Sequence, residues 1–169
     1  LWAYPHIYRT LDNILRLRLH GYTQRLEFFA HDHLAVCPSL FLLNEEEKYC
    51  GVPKSLNRCN SCLKHNTQEF KTFFQERDIQ KWRDAWQSLL INADLIRFFS
   101  ISTKRHFERA YPWLMSHENG VVDGHSVKDI WPKKFDFNRA ASAKKPGDGL
   151  RIGIFGYIGP HKGSGVVLE

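Results

Sequence analysis

Leu11, Ile14, Leu15 and Leu19 recur at helical spacing, Asp12, Arg16 and Arg18 take the other face, and Gly21 stands where a left-handed residue closes a helix. This pattern predicts a helix over residues 9–20. Residues 25–30 are a short stretch with apolar Leu26, Phe28 and Phe29 that runs straight into His31-Asp32-His33. It reads as a strand with polar groups at its C-terminal end, where open α/β sheets place their sites. Residues 34–65 keep no sustained period and hold Pro38, Gly51, Pro53 and the acidic run Glu45-Glu46-Glu47. They read as an irregular insert that something other than a core must order. Asn66 with Glu69 forms a capping pair for a helix through Glu76.

The clearest stripe follows. Ile79, Trp82, Trp86, Leu89 and Ala93 line one side of a helix over 79–92 and are expected in the core. Residues 94–99 read as a buried strand, Ser100 as an N-cap, and 101–110 as a helix stopped before Pro112. Val121 and Val122, or residues 126–130, supply a further short strand near His125. The order strand, helix, strand, helix predicts an α/β fold: a Rossmann-like parallel sheet with flanking helices and an irregular Cys-rich insert. From 132 to 149 the composition turns to Pro, Lys, Ala, Ser and Gly without periodicity, as in an interdomain linker. Residues 150–155 are a new apolar run opening into a glycine loop. The expected organisation is a domain over 1–131, a linker over 132–149, and the first strand and loop of a second domain over 150–169.

Composition adds bounds. With 169 residues, 43% of them apolar, the chain can bury a real core. Mean hydropathy is −0.43, and no apolar run approaches the twenty residues of a spanning helix. Twenty-four Lys and Arg against eighteen Asp and Glu leave +6, which suits an anionic partner or a solvated basic surface. Leu at position 1, a lone Met at 115 and the lack of a signal-peptide layout lead to the expectation of a fragment.

Two constellations carry chemistry. Cys37, Cys50, Cys59 and Cys62 are spaced C-x12-C-x8-C-x2-C. Four thiolates in so short a span could close a tetrahedral zinc site and order the insert, with His33 and His65 as substitute ligands. Two disulfides or four free thiols are the competing states. The Cys59–Cys62 pair is a poor redox motif, because it is expected in a loop rather than at a helix N-terminus. The second constellation is Gly156-x-x-Gly159-x-x-Lys162-Gly163, which matches neither G-x-x-x-x-G-K-[ST] nor G-x-G-x-x-G. It shares their physics: glycines let backbone N–H groups approach an oxyanion, and Lys162 adds a full charge. A plain tight turn is the bland reading.

Three stretches together, His31-Asp32-His33 with Cys37-Pro38, Tyr49-Cys50-Gly51 with Cys59-x-x-Cys62, and Phe155-Gly156-Tyr157-Ile158-Gly159 with Lys162-Gly163, resemble a bacterial branch of the family 4 glycosyltransferases. These are retaining GT-B enzymes that assemble cell-surface polysaccharides such as O-antigen. Trp82-Arg83 and Ser100 fall where that branch has its Trp-Arg helix and its Ser-ended strand, so the likeness spans nearly all of 25–163. It implies a partial GT-B fold: the later part of an acceptor-binding domain and the start of a donor-binding one. It also implies sugar transfer from a nucleotide-sugar donor to a glycan or lipid-linked acceptor. The expected setting is cytoplasmic with peripheral contact at the inner face of the plasma membrane, and no nucleic-acid partner.

By position, His31 with Asp32 resembles the acceptor-side catalytic pair. Gly156, Gly159, Lys162 and Gly163 resemble the loop that meets the donor diphosphate. Many members carry an Arg after the first loop glycine where Tyr157 stands here, so one charge toward the diphosphate comes from elsewhere or is missing. Such enzymes generally need no metal at the reaction centre, so zinc on the cysteines would be structural. The rival reading is a zinc-stabilised module that binds nucleic acid or protein without catalysis. The two differ in one geometric demand: the enzyme needs 25–31 and 94–99 as adjacent parallel strands of one sheet with helices on both faces, and the module does not.

Overall fold

Residues 6–39, 41–66 and 76–124 are described by the computed structural model. In chain order they form α1 (Ile7–Leu19), β1 (Glu27–Ala30), α2 (Leu56–His65), α3 (Ile79–Ile91), β2 (Leu95–Phe98), α4 (Ile101–Ala110), a 3-10 turn (Pro112–Ser116) and β3 (Gly120–Val122). The chain divides into two units, Leu1–Gly124 and His125–Glu169. The expected linker at 132–149, the alternative strand at 126–130 and the glycine loop lie outside the described residues.

The three strands make one parallel sheet in the order β1-β2-β3. Glu27 to Ala30 pair residue by residue with Leu95 to Phe98, and Ile96 to Phe98 with Gly120 to Val122. Parallel neighbours need long crossovers, and the chain supplies them: α2 and α3 lie between β1 and β2, α4 and the 3-10 turn between β2 and β3. The α/β architecture and the adjacency of β1 and β2 are therefore as the pattern predicted.

Alternation sorts the strand side chains. Phe28, Ala30, Ile96 and Phe98 share one face; Ala30, Ile96 and Phe98 are buried there. Phe28 meets Trp86 of α3 and Phe107 of α4 at ring distances of 6.0 Å, and Phe98 meets Phe107 at 5.3 Å. Both helices thus pack on this face, and α1 packs on α3 through Tyr8 and Trp82. The opposite face, with Glu27, Phe29, Arg97 and Val121, is not covered in this way among the described residues: Phe29 is 45% exposed. The helices expected on both faces are seen here on one.

The helix ends follow the sequence. Gly21 has φ +76, the left-handed conformation expected after α1. The Asp78 carboxylate accepts from the Gln80 and Lys81 amides at the start of α3, and Ser100 Oγ accepts from the Thr103 amide at the start of α4. Every position of the 79–93 stripe is buried.

Residues 34–65 differ from expectation. They contain the ten-residue helix α2, opened by Ser55, whose Oγ accepts from the Arg58 amide, and closed by Asn66, whose amide donates to the Cys62 carbonyl. Its apolar period is too short to read, since Leu63 is its one buried residue. The helix expected from Asn66 falls on 67–75, outside the described residues. Nor does the insert lack a core of its own. Leu34, Ala35, Val36, Leu42, Val52 and Leu63 join the same apolar cluster as α3 and the sheet. Three consecutive carbonyls are held by side chains: Leu34 O accepts from Trp82 Nε1 (2.8 Å), Ala35 O from the Tyr111 hydroxyl (2.5 Å), and Val36 O from Arg83 Nε (3.1 Å). Burial and these bonds do the ordering that a core was not expected to provide.

Candidate functional site

The C-terminal ends of β1 and β2 bring the chemistry-bearing residues together. Beyond Ala30 the chain turns at once: the His31 amide donates to Phe29 O (3.0 Å), and the Asp32 carboxylate accepts from the Leu34 amide (2.8 Å). That bond is an Asx turn, so Asp32 shapes the strand exit. His31 continues the uncovered sheet face. Its ring stacks on Phe99 at 4.4 Å and lies over Phe29 at 6.3 Å, while the Arg97 guanidinium sits 5.6 Å from the Phe29 ring centre. The result is a partly exposed aromatic platform carrying an imidazole and the Arg97–Asp123 ion pair, of a kind that receives a flat or apolar ring face.

His33 turns the other way. Its Nε2 lies 3.0 Å from Nδ1 of His106 in α4, and His106 Nε2 lies 2.5 Å from the Tyr49 hydroxyl. Burial pushes the pKa of both imidazoles down; the neighbouring His106 adds to this at His33 against the opposing pull of Asp32, and Arg109 adds to it at His106. With both rings neutral, two complete donor patterns exist. Tyr49 can donate to His106 and His106 to His33, or each bond can run in reverse. This Tyr49–His106–His33 chain can therefore pass a proton by reversing its bonds. The sequence points to His31 and Asp32 but not to His106, and to Tyr49 only as part of the Tyr-Cys-Gly stretch. His106 stands in a helix with no motif around it, and only the pairing of β1 with β2 brings it near His33.

Cys37, Cys50 and Cys59 neighbour one another, while Cys62 is set against Glu45 and Asn66. All four are free thiols. Cys50 and Cys59 lie near enough to Cys37 to oppose its ionisation; burial does most of the work, pushing Cys37 up to about 12. Cys59 is raised for the same reason. Cys62 is pushed up to about 11, first by burial and then by Glu45. Among the described residues no three His, Cys, Asp or Glu side chains are grouped to hold a metal ion. The Cys59–Cys62 pair lies within α2, not in the expected loop, and its raised thiols are the reverse of a redox-active pair. Gly156, Gly159, Lys162 and Gly163 lie outside the described residues.

No protein-family model, curated protein or solved structure matches this chain.

Proposed function

We propose that the chain is part of a retaining glycosyltransferase of the GT-B kind, which moves a sugar from a nucleotide-sugar donor to a glycan or lipid-linked acceptor in the making of a cell-surface polysaccharide. The observation that carries this reading is the pairing of β1 and β2 as adjacent parallel strands, with His31 and Asp32 directly after the first and the Ser100-capped α4 directly after the second. A zinc-binding module has no need of adjacent parallel strands; of the two helix-covered faces that the enzyme also demands, the described residues show one. In this reading the His31 platform takes the acceptor or the transferred sugar. Lys162 and its glycines meet the donor diphosphate and stabilise the charge that builds on it as it departs. The enzyme works at the cytoplasmic face of the membrane.

The test is a transfer assay on the intact reading frame with a panel of nucleotide sugars. His31→Ala is expected to cut turnover and acceptor use while the nucleotide still binds, and Lys162→Ala to lower kcat by about 10²-fold. Absence of transfer and of nucleotide binding by the intact protein would sink the reading. Elemental analysis tests structural zinc on Cys37, Cys50, Cys59 and Cys62: one bound equivalent that is lost in Cys59→Ser establishes it, and none leaves the insert to burial and hydrogen bonds.

A further inference from the structure

A cavity of about 610 Å³ opens between the insert, α3, α4 and the 3-10 turn, and its walls bring Lys54, Arg83, Arg105 and Arg109 together against a single carboxylate, Glu108. That carboxylate already faces Lys104 at 4.0 Å. Arg109 donates to the Gly51 carbonyl oxygen, and among the described residues no carboxylate lies within ion-pair distance of it. Among the described residues neither Lys54, Arg83 nor Arg105 has a carboxylate within ion-pair distance.

Arg83 is the telling member. It is 7% exposed, donates Nε to Val36 O, and still lines the cavity. A guanidinium buried without a counter-ion is costly to hold, and an anion arriving from outside would relieve that cost. Surface lysines are tolerated anywhere; a buried arginine behind three further cations is not placed by solubility. The arginines offer forked N–H donors that match phosphoryl oxygens two at a time. The remaining wall, with Leu56 and the exposed Met115, is apolar.

We propose that this cavity binds a phosphoryl group carried on a ligand with an apolar portion, supplied either by a soluble phosphate ester or by the headgroup of an anionic lipid. The proposal stands on the cavity alone and does not rest on the transferase reading. Two probes are offered to the chain: pyrophosphate, by titration calorimetry, and phosphatidylcholine vesicles with and without phosphatidic acid, by co-sedimentation. Arg105 and Lys54 are exposed and bear no packing load, so Arg105→Ala and Lys54→Ala should keep the melting temperature. Each should weaken binding by about tenfold or more, as expected for a lost charged donor. Arg83→Met tests the buried member, and the two exposed variants keep the experiment decisive if it does not fold. Saturable pyrophosphate binding that weakens in these variants supports the soluble source. Binding to phosphatidate vesicles alone, weakened in the same variants, supports the lipid source. No binding of either probe, or binding that Arg105→Ala and Lys54→Ala leave unchanged, overturns the proposal.

Discussion

The sheet half of the molecule and residues 31–66 satisfy their backbones by different means. In the sheet half, most N–H and C=O groups pair within helices and along the two parallel ladders, and side chains take over at strand ends, where Asp94 accepts from the Leu26 amide, Asn119 donates to Ala93 O and Lys104 to Gly120 O. In the insert, two segments do without such partners. The carbonyls of Leu34, Ala35 and Val36 each rely on a single side chain, Trp82, Tyr111 and Arg83 in turn, while that of Leu43 accepts from both the Asn66 side-chain amide and the Ser39 hydroxyl. A ladder bond survives almost any side-chain change, whereas a carbonyl held by a side chain is orphaned by a single substitution, at the full cost of a buried unpaired group. The insert is therefore the half in which individual polar atoms matter.

The largest expected effect falls on the residue that serves both halves. Trp82 is fully buried, packs on Trp86 and Tyr8, and holds Leu34 O. Trp82→Ala should cost about 3–5 kcal/mol in chemical denaturation, and Trp82→Phe, which keeps most of the packing, only the part owed to the carbonyl. If the two cost the same, the contrast between the halves fails. Next comes Tyr111→Phe, expected to cost about 1–3 kcal/mol by freeing Ala35 O. Its signature is local: amide exchange should quicken around residues 34–37 and stay slow in β2.

The smallest effects are those of pH. His33, just ahead of the insert, and His106 of α4 are held below their ordinary pKa, so the folded state takes up fewer protons than the unfolded one. Their contribution is complete above about pH 6.5 and is lost as pH falls below it. His106→Phe should flatten that slope. A second loss should appear at lower pH. Burial alone would raise Glu76, yet hydrogen bonds from Tyr8, the Asp78 and Arg77 amides and Lys81 hold it down at about 2. Its contribution is present above about 4.5 and disappears as pH falls toward 2. A melting temperature flat from pH 7 to 4 would contradict the His pair while leaving Glu76 standing.

What could be read in the sequence divides along the same line. The 79–93 stripe, the Ser100 cap, the 101–110 helix and both main strands were legible, because periodicity and capping are local rules. The carbonyl clasps were not, since Trp82 announces a core residue and says nothing of an acceptor 48 positions earlier. Helix α2 was hidden by its polar surface, and the His33–His106–Tyr49 chain by the distance along the chain between its members. In the sequence Arg83 is no more than half of a Trp-Arg pair; its burial against Val36 O and Cys59 depends on the insert folding back onto α3.

The separation between the carbonyls and their clasps also fixes an order of events. Leu34, Ala35 and Val36 are synthesised 48, 76 and 47 residues ahead of Trp82, Tyr111 and Arg83. At the usual pace of about 5–20 residues per second, Ala35 waits roughly 4 to 15 seconds for Tyr111. Until Trp82 and Arg83 emerge, the carbonyls of Leu34 and Val36 lack their donors, and each cysteine already made stands in the open chain, Cys37, Cys59 and Cys62 without the burial that raises their thiols in the fold. A nascent chain is thus most vulnerable to wrong sulfur chemistry before α3 emerges, and the arrival of Trp82 and Arg83, followed by Tyr111, is what seals it.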